Sequence, residues 1–220
     1  MKILFTVCFF TFSMILVIAQ GKEATNDAEA KKILDAVSAK FKSFKTAKAT
    51  FTYKVENSSG KVLSTRNGSV FMKGTKYRVS FSGQEIFCDG NNVWSYDNSA
   101  NEVTITKLDI SNSTITPQKL FTNFYDKDFL YKLNGTKKSG AKTLQEIEMT
   151  PNDKNKPFHK VYVYVDKTAK TISATKVLEK DGSIYIYNVN TLTPNTSISD
   201  TYFVFDEKKY PGVEIIDLRD

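Results

Sequence analysis

The chain has 220 residues and a formal charge of +7, from 31 basic and 24 acidic side chains spread along its length. That spacing excludes the clustered basic stripe of a nucleic-acid binder. One histidine excludes a zinc centre built from several imidazoles.

Lys2 is followed by an apolar and hydroxyl-bearing run from Ile3 to Ile18, and Ala19 precedes the polar Gln20. A basic start, a short apolar core and a small residue before a polar segment make a secretory signal peptide. Residues 1–19 are therefore expected to be removed after Ala19. A membrane-spanning helix needs about 20 apolar residues, more than this run supplies. Cys8 lies inside the run and not directly behind it, so no lipid attachment is expected. Residues 20–220 should form one exported domain whose sole cysteine, Cys88, makes no internal disulfide. A chain of this size can bury a core without one.

From Asn26 the apolar residues Ile33, Leu34, Val37, Phe41 and Phe44 recur at spacings of three and four. That period predicts an amphipathic helix over 27–43, with Asn26 and Glu29 as a capping box. The period then becomes two. Ala49, Phe51, Tyr53 and Val55 alternate with polar residues, and strand-like runs follow at 61–73, 75–82, 84–88, 92–96 and 102–108. Short strands with Gly, Asn and Asp clusters between them predict an antiparallel meander. Thr116-Pro117 opens a second, short helix with Leu120, Phe121 and Phe124 on its apolar side. Strands return at 128–134, 143–149, 158–166, 171–179, 183–190 and 201–206.

The polar stretch "CDGNNVWSYDNSANEVTI" (88–105) tests for a metal loop. A calcium loop needs oxygen ligands at alternate positions and Gly at the sixth, where this chain has Trp94. Asp89-Gly90 is instead a hairpin signal, and no metal site is expected. Trp94 and Tyr96 share one strand face and Val93 takes the other. Catalytic chemistry is equally thin. His159 opens a strand, Cys88 has no evident activating partner, and no Gly-rich phosphate loop or G-x-S-x-G elbow occurs. No enzyme activity and no cofactor are expected.

Several late strands are apolar on both faces. "VYVYV" (161–165) sets valines against tyrosines, and "YIYNV" (185–189) sets Tyr185 and Tyr187 against Ile184 and Ile186. A simple sheet keeps one wet face. The expected fold is α+β and mainly β: an incomplete, half-open antiparallel barrel with helices forming a lid over an apolar cavity.

The order of these features resembles the periplasmic outer-membrane lipoprotein carriers, the LolA family. The resemblance rests on the leader, the amphipathic helix, "AKATFTYKV" (47–55), "DGNNVWSYDNSANEVTI" (89–105), "TPQKLF" (116–121) and "EMTPND" (148–153). It continues in "YVYVDKTAKTISATKVLEKDGSIYIYNV" (162–189) and "FVFDEKKYPGVEIIDLR" (203–219). It implies an incomplete barrel with a helical lid, a monomer in the periplasm, and acylated lipoproteins as cargo. It further implies an inner-membrane ABC-type release complex as donor and an outer-membrane acceptor. Shielding acyl chains from water is worth about 0.8 kcal/mol per methylene. One departure stands out: where the family commonly has an Arg that helps to hold the lid, this chain has Lys73 and Lys76, with Arg78 only later.

Alternation along the strands gives Phe51, Tyr53, Val70, Met72, Tyr77, Val79, Phe81, Trp94 and Tyr96 as cavity-facing candidates. Ile33, Leu34, Val37, Leu120, Phe121 and Phe124 are the lid candidates. Rival readings are a lipid- or lipoprotein-sensing domain on the same scaffold, an acceptor lipoprotein, and a lipid-directed hydrolase.

Overall fold

The computed structural model describes residues 26–109 and 125–219. The leader, and the helix expected after Pro117 with Leu120, Phe121 and Phe124, lie outside the described residues.

Helix α1 (Ala28–Lys42) turns Ala30, Leu34 and Val37 inward. Its cap falls one residue later than the capping box predicts. Asp27 accepts hydrogen bonds from the backbone N–H of Glu29 at 2.8 Å and of Ala30 at 3.2 Å. Asn26 is used differently: its side-chain oxygen accepts from the backbone N–H of Tyr131 at 2.8 Å. The second carboxylate oxygen of Asp27 accepts from the Leu133 N–H at 3.1 Å. Competition for those two strand donors explains the shifted cap, because an unpaired backbone N–H is costly wherever water is excluded.

Among the described residues twelve strands follow: β1 (Thr46–Glu56), β2 (Val62–Lys73), β3 (Lys76–Phe81), β4 (Gln84–Cys88), β5 (Asn92–Asp97), β6 (Glu102–Lys107), β7 (Phe129–Ser139), β8 (Lys142–Pro151), β9 (Phe158–Asp166), β10 (Thr171–Glu179), β11 (Ile184–Pro194) and β12 (Glu214–Asp217). A single helical turn, α2 (Tyr125–Asp128), precedes β7. All strands join one sheet in the order β12-β6-β5-β4-β3-β2-β1-β11-β10-β9-β8-β7. The two end strands do not pair with each other, so the sheet is open and the barrel incomplete. Two meanders, β1–β6 and β7–β11, meet where β1 pairs with β11.

One pairing departs from the expected antiparallel pattern. β12 runs parallel to β6, and residues 201–206 form no strand. Their alternation of Tyr202 and Val204 with Phe203 and Phe205 mimics one, but among the described residues no free strand edge lies alongside. The chain instead makes a 3-10 turn (Asp200–Phe203) and a second (Glu207–Lys209). Phe203 and Phe205 are both buried there. Residues 195–213 thus form a strap that crosses one face of β1–β6 and delivers β12 beside β6.

Alternate residues of a strand point to opposite faces. On the front face α1 packs over Tyr131, Ile147, Met149, Val163 and Val165, with Leu34 and Val37 at the contact. Tyr125 locks the helix from the side by donating to Asp35 at 2.7 Å, while Lys31 pairs with the same carboxylate at 3.1 Å. A second front cluster joins Ala47, Ala49, Val70, Met72, Tyr77 and Cys88, with Phe41 and Phe44 packed against it. On the back face the strap covers Phe87, Trp94, Tyr96, Val103 and Ile105 through Phe205.

Ile147 is 0% exposed at the centre of the helix contact. Ile147→Ala should lower stability by about 2–5 kcal/mol in urea titration, with an unchanged denaturant slope. The anchor of α1 should also respond to acid. Backbone N–H groups of Leu133, Ala30 and Glu29 hold the Asp27 carboxyl below its usual range. A lowered folded pKa gives stability that is complete above the unfolded value and lost as pH falls through the folded one. Asp27→Asn should therefore flatten the acid limb of the stability profile below about pH 4. Parallel acid limbs in variant and wild type would contradict this.

Candidate functional site

The site is built on the front face, where α1 crosses the centre of the sheet. Val37, Phe41 and Phe44 descend from the helix and its exit. Ala49, Met72, Ile172, Val189 and Leu192 rise from the strands to meet them. The cavity between them is about 20 Å³, with room for about one water molecule. The seam is closed and apolar.

Beyond the cover of α1 the same face continues as an aromatic platform. Register places Phe51 opposite Gly68, and Gly68 opposite Phe81. The Phe51 and Phe81 rings stack with centroids 5.8 Å apart, and Tyr53 meets Phe81 edge-on at 5.2 Å. Tyr53 also contacts Tyr187 at 4.9 Å and stacks on Tyr185 at 5.8 Å. Tyr187 is 40% exposed, so the platform is open to solvent. Gly68 makes it possible: a Cβ there would run into the Phe51 ring. The ring covers the glycine and lies flat along the sheet.

The structure therefore sorts the sequence candidates. Phe51, Tyr53, Val70, Met72, Tyr77, Val79 and Phe81 share the front face. Ile33, Leu34 and Val37 face it from the helix. Trp94 and Tyr96 do not join them. Cys88 pairs with Val93, and that register sends Val93 to the front and its neighbour Trp94 to the back. Trp94 and Tyr96 pack beneath the strap with Phe205. Sequence reasoning misses Tyr185, Tyr187, Val189 and Leu192 of β11. The doubly apolar "YIYNV" is their signal, but no local pattern says which of its faces lies inward.

The polar stretch around Trp94 is a pair of turns. Asp89 accepts from the N–H groups of Asn91 at 2.8 Å and Asn92 at 2.7 Å, and Asp97 accepts from Ser99 N–H at 2.8 Å. These are Asx turns. Among the described residues no group of three or more His, Cys, Asp or Glu side chains is placed to hold a metal. His159 is exposed. Cys88 is 0% exposed, and burial pushes its thiol pKa up.

The basic residues Lys73, at the end of β2, and Lys76 and Arg78 of β3 face away from the helix. Lys73 and Lys76 pair with Asp200 of the strap at 2.7 and 2.8 Å, and Lys73 donates to the Ile198 carbonyl at 3.0 Å. Hydrogen bonds from both lysines hold the Asp200 carboxyl down at about 2. Arg78 pairs with Glu85 on the same side. These three cations hold the strap and the back face; α1 is held by Asn26, Asp27 and Tyr125.

The sequence pattern of the outer membrane lipoprotein carrier protein LolA family matches residues 42–206. An outer-membrane lipoprotein carrier protein of Cupriavidus necator is 31% identical over 125 residues, 53% of this chain and 57% of that protein. The matched region thus spans little over half of that relative. An uncharacterised conserved protein of Thermus thermophilus shares the fold with a TM-score of 0.59 at 13% identity. The alignment covers 86% of this chain and 99% of that one. MucB shares it with a TM-score of 0.51 at 13% identity, over 82% of this chain and 64% of MucB.

Two outcomes follow from this geometry. Gly68→Ala should drive Phe51 from its place, cost about 1–3 kcal/mol as other overpacked sites do, and alter the near-UV circular dichroism of the platform. The Cys88 thiol should stay unreactive to a disulfide reagent at pH 8 until the protein unfolds, and Cys88→Ser should cost only modest stability.

Proposed function

Because this chain belongs to the outer membrane lipoprotein carrier protein LolA family, we propose that its front face receives the acyl chains of lipoproteins. In this reading the protein is exported to the periplasm after cleavage behind Ala19. It takes cargo as a monomer from an inner-membrane ABC-type release complex and passes it toward an outer-membrane acceptor. It performs no chemistry on the chain it shields.

One observation carries the proposal. The apolar seam under α1 runs without interruption into the aromatic platform of Phe51, Tyr53, Phe81, Tyr185 and Tyr187. The seam has room for about one water, so an acyl chain can enter only if α1 moves. The magnitudes permit it. Uncovering the Leu34 and Val37 side chains costs roughly 1.5–3 kcal/mol each, whereas about ten methylenes shielded from water return about 8 kcal/mol. Both helix ends are tied: the start by Asn26 and Asp27 to β7, the end by a short link into β1. The motion is therefore a roll or tilt about the anchored start.

Val37 is 6% exposed in the middle of the helix stripe. Val37→Glu should leave the sheet folded but loosen the helix, because a carboxylate cannot stay in an apolar seam. An apolar fluorescent dye should then bind the variant more readily than wild type, while capture of an acylated protein falls. Unchanged dye binding together with unchanged capture would mean that the helix covers ordinary core, and would sink the carrier reading.

A further inference from the structure

The strap does not lie flat on the back face. Between it and the sheet is a pocket of about 370 Å³, at the small end of the range for ligand sites. Its floor is one row across four strands: Lys48 pairs with Phe71, Phe71 with Arg78, and Arg78 with Phe87. Cation and aromatic ring alternate along that row. The Lys48 ammonium sits 5.3 Å from the Phe71 centroid, and the Arg78 guanidinium lies 4.3 Å from Phe87 and 4.6 Å from Tyr202 of the strap. The roof adds the hydroxyls of Ser197, Ser199 and Thr201.

Two features of this row point to an anion. The Nε of Arg78 is buried and has no acceptor among the described residues, although Nη2 is paired with Glu85. A buried donor left unpaired costs about 1–3 kcal/mol; the Nε lies under the Phe87 and Tyr202 rings, so an acceptor reaches it only when the Tyr202 ring of the strap swings aside. Lys48 has a ring beneath it and, among the described residues, no carboxylate partner. Around the strap six cations (Lys48, Lys73, Lys76, Arg78, Lys208, Lys209) meet four carboxylates (Glu85, Asp200, Asp206, Glu207). The balance is positive in a partly desolvated place, where charge is felt strongly.

We propose that the pocket beneath the strap binds a small organic phosphate, its phosphate between Lys48 and Arg78 and its body against Phe71 and Tyr202. The lining offers an ammonium, a guanidinium and hydroxyls against the single carboxylate of Asp206, and Ser199 and Thr201 already share a hydrogen bond at 2.9 Å. Separate donors of this kind suit a tetrahedral oxyanion better than a planar carboxylate. The aromatic walls and the volume exceed what a bare phosphate ion needs. The pocket opens on the face opposite the acyl seam, so it is independent of the carrier reading.

Glycerol 3-phosphate is the soluble probe and dihexanoyl phosphatidylglycerol, below its micelle concentration, is the lipid probe. In amide-resolved NMR either should give saturable shifts at residues 196–202 and at the Arg78 Nε–H, while Tyr53 and Tyr187 stay still. The tighter of the two identifies the source as a free ester or a headgroup. Lys48 is exposed, so Lys48→Gln keeps the fold and should weaken binding roughly tenfold, the worth of one charge-assisted hydrogen bond. Arg78→Lys, which keeps the charge and loses the Nε–H, should weaken it too. Val37→Glu should bind as wild type does, which separates failure here from failure of the acyl site. The proposal is overturned by the absence of saturable shifts, by equal shifts from chloride at matched ionic strength, or by acetate binding as tightly as the ester. It is equally overturned if Lys48→Gln binds like wild type.

Discussion

The structure depends on the pairing of β1 with β11. Every other antiparallel contact joins strands that follow one another in the chain, so each meander could form from local hairpins alone. Only the β1–β11 ladder, from Ala47 opposite Pro194 to Glu56 opposite Ile184, fuses them into one sheet. The ladder slips by one residue between Thr50 and Phe51, which leaves Asn190 as the extra residue on β11. A bulge of this kind bends the strand and increases its twist. It sits beside Phe51, where the seam under the helix gives way to the open platform. Without the ladder, α1 would have no continuous surface to cross, and the strap, which leaves the end of β11, would not be delivered to the back face of β1–β6.

The ladder also explains what can be read from the chain and what cannot. Hairpin strands are legible because their turns are written locally, in Asn57–Gly60, Asp89-Gly90 and Asp181-Gly182, and the observed boundaries there fall close to the expected ones. The amphipathic stripe of α1 is legible for the same reason. Facing is not. Alternation says that Trp94 and Tyr96 share a side, but only the partner register of Cys88 with Val93 decides that it is the back. The contributions of β11 to the platform arrive across a long sequence separation, as in Tyr53 opposite Tyr187. The strap fails differently: Phe203 and Phe205 alternate like strand residues, yet a strand needs a free edge and that segment has none beside it among the described residues.

The two faces divide the work of the sheet. The front is apolar and aromatic under the helix and across the platform, and turns polar at its margins, with Arg66 opposite Tyr53 and Gln84, Ser95 and Thr104 toward β6. The back carries the ion pairs, among them Lys160 with Glu148 at 2.6 Å and the lysine clasp on Asp200. The pairs on Asp200 are largely exposed and add little stability individually. Their value at the strap is positional, since they hold a segment without regular structure against Phe71, Arg78 and Phe87 and so keep the space beneath it open.

The anchoring of α1 reaches beyond the helix itself. β7 is an end strand of the sheet, and an end strand offers unpaired N–H and C=O groups to any passing chain. Asn26 and Asp27 occupy its donors at Tyr131 and Leu133, and farther along the strand Lys137 and Lys138 supply charge. The cap of the helix is thus also a guard on the sheet. A helix that swung fully free would uncover those edge donors. Tying the helix at that point limits how far it can travel, and it keeps part of the edge of an open sheet covered.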